Sequence, residues 1–154
     1  MRFAYVQPFV QSAREILEQL LSEETSTGKI ELCAAPVPCS GVTAIVGLTG
    51  EGEGRVLYYM STRTALEIAS RLNDDELQEE LSGLAKDTLS ELASMITGRA
   101  ISVLNDKGHQ LRVSPPTLIA GENVTISNME LETMVVPVET TLGTVIVNVA
   151  MATR

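Results

Sequence analysis

The chain has a single histidine, His109, and only two cysteines, Cys33 and Cys39. One His and two Cys cannot assemble a structural zinc set, and no Ser/His/Asp or Cys/His catalytic group presents itself. His109 falls in the turn sequence Asn105-Asp-Lys-Gly-His and reads as an exposed turn residue. With no secretion signal ahead of them, the two cysteines read as reduced thiols. Basic residues are also scarce: 11 Lys and Arg stand against 20 Asp and Glu, a net charge of −9 with no basic cluster. Such a surface repels polyanions, which excludes nucleic acid and anionic membranes as natural partners. No apolar run approaches the roughly 20 residues of a spanning helix, and no basic segment followed by an apolar one opens the chain. These absences together predict a cytoplasmic protein.

What is present is enough apolar material for one core. A chain of 154 residues with 44% apolar content suits a single domain spanning residues 1–154. A short extended piece leads into an amphipathic helix from about Pro8 to Ser22, with Phe9, Ala13, Ile16, Leu17 and Leu20 along one face. From Lys29 to Ser61 the pattern is that of strands, with Gly41–Leu48 and Arg55–Met60 flanking a turn at Thr49–Gly54. Thr62 opens a second helix to Leu72, and Asn73–Asp75 separates it from a third, long helix over about Glu76–Leu104. Four β-rich stretches follow: Leu111–Val113, Thr117–Ala120, Val124–Met129, and a long hairpin, Glu132–Pro137 with Thr144–Ala150. This order predicts an α+β domain with a mostly antiparallel sheet.

The glycine-rich segment Gly47–Gly54 is a hairpin turn and not a phosphate loop. A phosphate loop must open a helix and keep anions away, whereas here a strand follows and Glu51 and Glu53 would repel the ligand. An internal repeat is visible between the halves. Gln11, Glu15 and Glu18 in the first helix share the spacing of Asp87, Glu91 and Ser94 in the third. The segment Ile45–Leu57 aligns with Met134–Ile146. Helix followed by hairpin occurs twice, which predicts two long, pseudo-two-fold-related helices packed on one sheet with a shorter helix between them.

The third helix carries the chemistry. At about 100° per residue, Asp87, Glu91 and Ser94 fall within a sector of roughly 60°, with Glu80 and Gly98 on the same line. Leu81, Leu84, Leu92, Met95, Ile96 and Val103 are expected on the other side. Gly83, Ser90, Ser94 and Gly98 leave little bulk beside the carboxylates, so a macromolecule could approach the backbone closely. By spacing alone such a face is more often that of an ordinary solvated helix.

The segment Asp87-x-x-x-Glu91-x-x-Ser94-Met-Ile-x-Gly98, the downstream Ser114-Pro-Pro-Thr117 and the paired hairpins resemble the CheC/CheX/FliY family, its CheX branch most closely. The resemblance implies dephosphorylation of the aspartyl phosphate of a CheY-like receiver domain. Glu91 matches the family Glu that pairs with the receiver's active-site Lys, Asp87 the first motif position, and Pro115 or Pro116 the downstream proline. The aspartyl phosphate and its Mg²⁺ belong to the receiver, so no cofactor is expected in this chain. Ser94 stands where the family has the Asn that orients the attacking water. A hydroxyl is shorter and lacks the fixed donor–acceptor pair of an amide. The resemblance therefore admits two functions: a phosphatase with Glu91 and Ser94 as its working residues, or a receiver-binding adaptor or phosphate sink that has lost hydrolysis. In the first helix, Gln11-x-x-x-Glu15-x-x-Glu18 lacks the Asn altogether and reads as catalytically silent. A homodimer is also implied, and the apolar Val145–Met151 strand is expected to be an exposed edge in a monomer.

Overall fold

The computed structural model describes residues 3–33, 37–127 and 131–153. Three helices, α1 (Phe3–Leu21), α2 (Thr62–Leu72) and α3 (Gly83–Asp106), accompany eight strands among the described residues. The strands are β1 (Ser26–Thr27), β2 (Glu31–Cys33), β3 (Val37–Gly50), β4 (Gly52–Met60), β5 (Leu111–Val113), β6 (Thr117–Ile126), β7 (Thr133–Thr140) and β8 (Gly143–Thr153). All pairings are antiparallel, so the α+β class and sheet type predicted from the sequence hold.

The sheet order reads the same from both ends. β4 and β8 pair at the centre, β3 and β7 flank them, β5 and β6 border β3, and β1 and β2 border β7. Each half thus contributes a helix, a pair of short or bent strands and a hairpin, and each half's border strands close on the other half's hairpin. This is the predicted repeat at the level of elements. Its residue alignment is shifted: the first hairpin turns at Gly50, with φ 109°, and the second at Gly143, with φ 128°. Gly54, which the sequence alignment matches to Gly143, lies inside β4, where a Cβ would collide with the carbonyl oxygen of Ala150 on β8. Glycine there permits the close central pairing.

Alternation along the strands sends Val42, Ala44, Val46 and Leu48 of β3, Val56 and Tyr58 of β4, and Val145, Val147 and Val149 of β8 to the helix-covered face. Against them lie Phe9, Ala13, Ile16 and Leu17 of α1 and Leu89, Leu92, Ala93 and Ile96 of α3. α1 and α3 run antiparallel, since Glu15 pairs with Arg99 while Leu20 lies near Asp87 and Ala4 near Lys107.

Several boundaries differ from expectation. α1 begins at Phe3 and carries Pro8 inside it. Proline removes the hydrogen bond to the Ala4 carbonyl, but burial of Tyr5, Val6 and Phe9 holds the first turns on the sheet. α3 begins at Gly83, not near Glu76, because Ser82 caps it: its hydroxyl accepts from the Ala85 N–H at 3.2 Å. Asp74 and Asp75 take positive φ after α2, and Leu77 is 74% exposed. Within residues 76–81 only Leu81, beside the Ser82 cap, packs against the core, and the earlier residues have no apolar anchor to draw them into a helix. Glu80 accordingly lies off the helix and not on the stripe. The expected strands Thr117–Ala120 and Val124–Met129 form one strand through Ile126, the register shift opposite Cys39–Gly41 absorbing the intervening turn residues. Residues 128–130 of that prediction lie outside the described residues. β8 is central, paired on both sides, so Val145–Met151 is not an edge.

Candidate functional site

The rotation of α3 about its axis decides what faces out. Thr97 and Tyr58 share a buried hydrogen bond at 2.7 Å, and the Thr97 hydroxyl also reaches the Ala93 carbonyl at 2.8 Å. Burial pushes the Tyr58 phenol well above its ordinary pKa, so it stays neutral and the bond persists. This pins α3 to β4. At its start, the Asn73 amide donates to the Thr88 hydroxyl at 2.9 Å and to the Ala69 carbonyl at 2.7 Å, joining α2 to α3 one residue after Asp87. At its far end Asn105 exchanges hydrogen bonds with the backbone of Leu111, at 3.1 and 2.9 Å. The helix is held at both ends and in the middle.

On this support Asp87, Glu91, Ser94 and Gly98 are all exposed. None of the three side chains Asp87, Glu91 and Ser94 has a hydrogen-bonding or ionic partner among the described residues. Ser94 contrasts with Thr88 and Thr97, whose hydroxyls bond back to the carbonyls four residues earlier, Leu84 and Ala93. Its hydroxyl is available to solvent or to a partner. A Cβ at Gly98 would meet nothing within 4 Å, so no packing inside the chain requires glycine there.

The pseudo-equivalent residues of α1 are occupied. Glu15 accepts from the Gln11 amide at 2.9 Å and pairs with Arg99 of α3 at 3.4 Å. Glu18 accepts from the N–H and hydroxyl of Thr25, at 3.3 and 3.0 Å, beside Arg14 at 3.5 Å. They tie α1 to α3 and to the following loop.

The apolar residues expected behind the stripe divide into two groups. Leu92 and Ile96 are buried, but Leu84 and Met95 are 47% and 40% exposed, and Val103 is also exposed. Leu84 and Met95 lie on the flank of the stripe, where a stricter reading of the 100° period would place them. Beside them a cleft of about 440 Å³ opens between the three helices, with Leu20, Leu72, Leu92 and Met95 as walls and Asp87 and Glu91 at its lip. Pro115 and Pro116 lie in the β5–β6 connection, where Ser114 is hydrogen-bonded to Gly47 of β3 at 2.8 Å. His109 is not an exposed turn residue: its ring lies 4.9 Å from that of Tyr5, and its Nδ1 is 3.2 Å from the Glu51 carboxylate. Among the described residues no group of three or more His, Cys, Asp or Glu is arranged to hold a metal ion.

Residues 42–139 match the model of the chemotaxis phosphatase CheX family. The chain is 30% identical over 124 residues to the CheY-P phosphatase CheX of Thermotoga maritima, covering 80% of this chain and 79% of that one. This chain belongs to the CheX family. The CheX–CheY–BeF3–Mg²⁺ complex of Borrelia burgdorferi contains a chain 34% identical to this one, superposing with a TM-score of 0.83 over 97% of this chain and 99% of that one. A CheC-like protein of a Shewanella species shares the fold, with a TM-score of 0.89 and 99% coverage of both chains at 24% identity. The exposed residues Asp87, Glu91, Ser94 and Gly98 of α3 lie within the segment that matches the family. No helix of the described residues is long and apolar enough to cross a membrane.

Proposed function

We propose that this chain is a phosphatase acting on the aspartyl phosphate of a CheY-like receiver domain in chemotaxis signalling. The observation that carries this reading is the free, outward-facing row Asp87, Glu91, Ser94 and Gly98 on a helix fixed at three places, in a CheX-family chain. Glu91 pairs with a cationic side chain in the receiver's active site, and Asp87 adds to the attraction. Gly98 lets the receiver's surface come close to the helix backbone. Ser94 holds a water against the phosphorus. That water attacks, the bond between phosphorus and the aspartyl oxygen breaks, and inorganic phosphate leaves a free carboxylate behind. Mg²⁺ in the receiver neutralises the phosphoryl oxygens, so this chain need supply only position and hydrogen bonding.

A second reading has one observation in its favour, Ser94 in place of the family Asn. On that reading the chain binds the phosphorylated receiver without hydrolysing it. Following phosphate loss from a phosphorylated CheY-like receiver, with and without this protein, decides between them: acceleration supports the phosphatase, while tight binding with unchanged decay supports the adaptor.

The protein acts in the cytoplasm, where phosphorylated receivers are made, and as a homodimer. Because β8 is central, a dimer cannot form through that strand. The border strands remain available, with Leu32 of β2 and Val113 of β5 exposed. Light scattering giving a mass near 16.5 kDa would contradict the dimer.

A further inference from the structure

Polar residues account for only part of the surface around the stripe. Leu84 and Met95 project at its flank, and the cleft beside them is apolar-walled although its lip is acidic. Thr88 at the cleft needs no ligand, because its hydroxyl donates to the Leu84 carbonyl at 2.9 Å and accepts from Asn73 at 2.9 Å. The cleft is also built in advance. Arg71 of α2 donates to the Leu21 carbonyl of α1 at 3.3 Å and pairs with Glu23 at 3.1 Å, fixing the wall that carries Leu72 against the wall that carries Leu20.

We propose that this cleft receives an apolar side chain from the receiver's surface, next to the cation that pairs with Glu91, and so acts as an apolar anchor for docking. The inference rests on the receiver-docking reading and adds a second recognition element to it. Charge selects the occupant. Asp87 and Glu91 at the lip repel an anionic ligand or an acidic peptide, and a second copy of a chain with net charge −9 would bring its own acidic helix face to the contact. A receiver that offers a cation to Glu91 is held there by that pair, so that an uncharged side chain beside the cation meets the cleft, and covering Leu84 and Met95 removes their apolar area from water. The arrangement is a central apolar pocket beside a charged pair, the usual composition of an interface hot spot.

The test uses a CheY-like receiver from the same cell, loaded with beryllofluoride and Mg²⁺, titrated with the full-length chain at low and high salt. Met95→Ser and Leu72→Ser are each expected to weaken binding about tenfold while leaving its salt dependence unchanged. Glu91→Lys is expected to weaken binding and to flatten the salt dependence. Met95 is exposed, so its variant keeps the fold even if Leu72→Ser does not. Wild-type affinity in Met95→Ser together with lost binding in Glu91→Lys would overturn the anchor and leave the docking reading standing. Unchanged affinity in both would overturn the docking reading too. If Met95→Ser instead converts a dimer to a monomer in light scattering without affecting receiver binding, the cleft is covered by a second copy and the proposal fails.

Discussion

The two long helices of this domain share a spacing of polar residues, and they use it in opposite ways. In α1, Gln11, Glu15 and Glu18 are bound to Arg99, Arg14, Thr25 and one another. In α3, Asp87, Glu91 and Ser94 have no partner among the described residues. A carboxylate that already accepts hydrogen bonds within the chain must give them up before it can serve a partner, and each such bond contributes on the order of 1 kcal/mol. The pattern alone therefore does not make a site. What distinguishes α3 is that its polar groups are held in place by the helix and left without internal partners. Arg99 shows how the halves divide the work: it stands one residue beyond Gly98 on α3, yet it is engaged by Glu15 of α1.

The strongest way to break the comparison is to reverse a charge on each helix. Glu91→Lys replaces attraction by repulsion and is expected to weaken receiver binding by about 2 to 5 kcal/mol, the cost of truncating or reversing a close interfacial pair. Glu15→Lys has the same charge change on α1 but loses an exposed bridge to Arg99, for which about 0.2 to 1 kcal/mol of stability is expected, and an exposed hydrogen bond from Gln11, with receiver binding close to normal. Glu80→Lys, in the loop before α3, should likewise leave binding nearly intact. Titration of the beryllofluoride-loaded receiver checks all three, and equal losses would mean that general charge governs the encounter.

The next effect is on turnover. Ser94→Asn places an amide beside Glu91, on an exposed surface where the change should alter stability by no more than about 0.5 kcal/mol. It is expected to raise the rate of receiver dephosphorylation, by up to about 100-fold if the serine leaves the water about 1 Å out of position. Affinity should stay the same, because the gain belongs to the transition state. A wild-type protein already as fast as the variant would show that a hydroxyl suffices. The corresponding change on α1, Glu18→Asn, should leave the rate unchanged.

A subtler test concerns Gly98. Glycine inside a helix costs about 0.8 to 1 kcal/mol relative to alanine, and a Cβ there meets nothing within 4 Å, so Gly98→Ala should stabilise the free protein by about that amount. If the glycine is there for the receiver's close approach, the same substitution should weaken docking. Thermal unfolding and receiver titration on one sample read both changes, and a more stable variant with full affinity would remove Gly98 from the docking face.

The part of this site that sequence revealed is the part governed by local periodicity. The stripe Asp87, Glu91, Ser94 and Gly98, the short second helix and the doubled helix–hairpin all follow from spacing along the chain. What escaped it depends on contacts between distant segments. The central place of β8 rests on its pairing with β4, from Gly52 with Thr153 to Tyr59 with Ile146, which no local pattern encodes. The start of α1 ahead of Pro8 depends on Tyr5 and Val6 finding the sheet, and the late start of α3 on Ser82 capping it while Leu77 finds no core. Leu84 and Met95 looked like core residues because leucine and methionine usually are. Their place at the flank follows from the period of about 100° per residue, and the Thr97–Tyr58 hydrogen bond fixes the rotation that leaves that flank exposed.

The smallest expected effect concerns how the two helices are joined at their other ends. Glu51, in the turn between β3 and β4, accepts from the Tyr5 hydroxyl of α1 at 3.3 Å, meets the His109 ring at 3.2 Å, and accepts from the Gln110 N–H just beyond α3. The Gln110 N–H, and after it His109, hold the Glu51 carboxyl below its ordinary value of 4.5. A depressed folded value means that the native state binds a proton less readily than the unfolded chain. The stabilisation is therefore complete above the ordinary value and is lost as the pH falls through the lowered one. Replacing Glu51 by Gln should lower the denaturant midpoint near pH 7 and bring variant and wild type together in acid. The difference between them should shrink as the pH drops through the ordinary carboxylate value of 4.5 and below it. Because this clasp lies at the end of α3 away from Asp87 and Glu91, receiver binding near pH 7 should be unaffected. If the midpoints stay equally far apart throughout that range, Glu51 acts through packing and not through its charge.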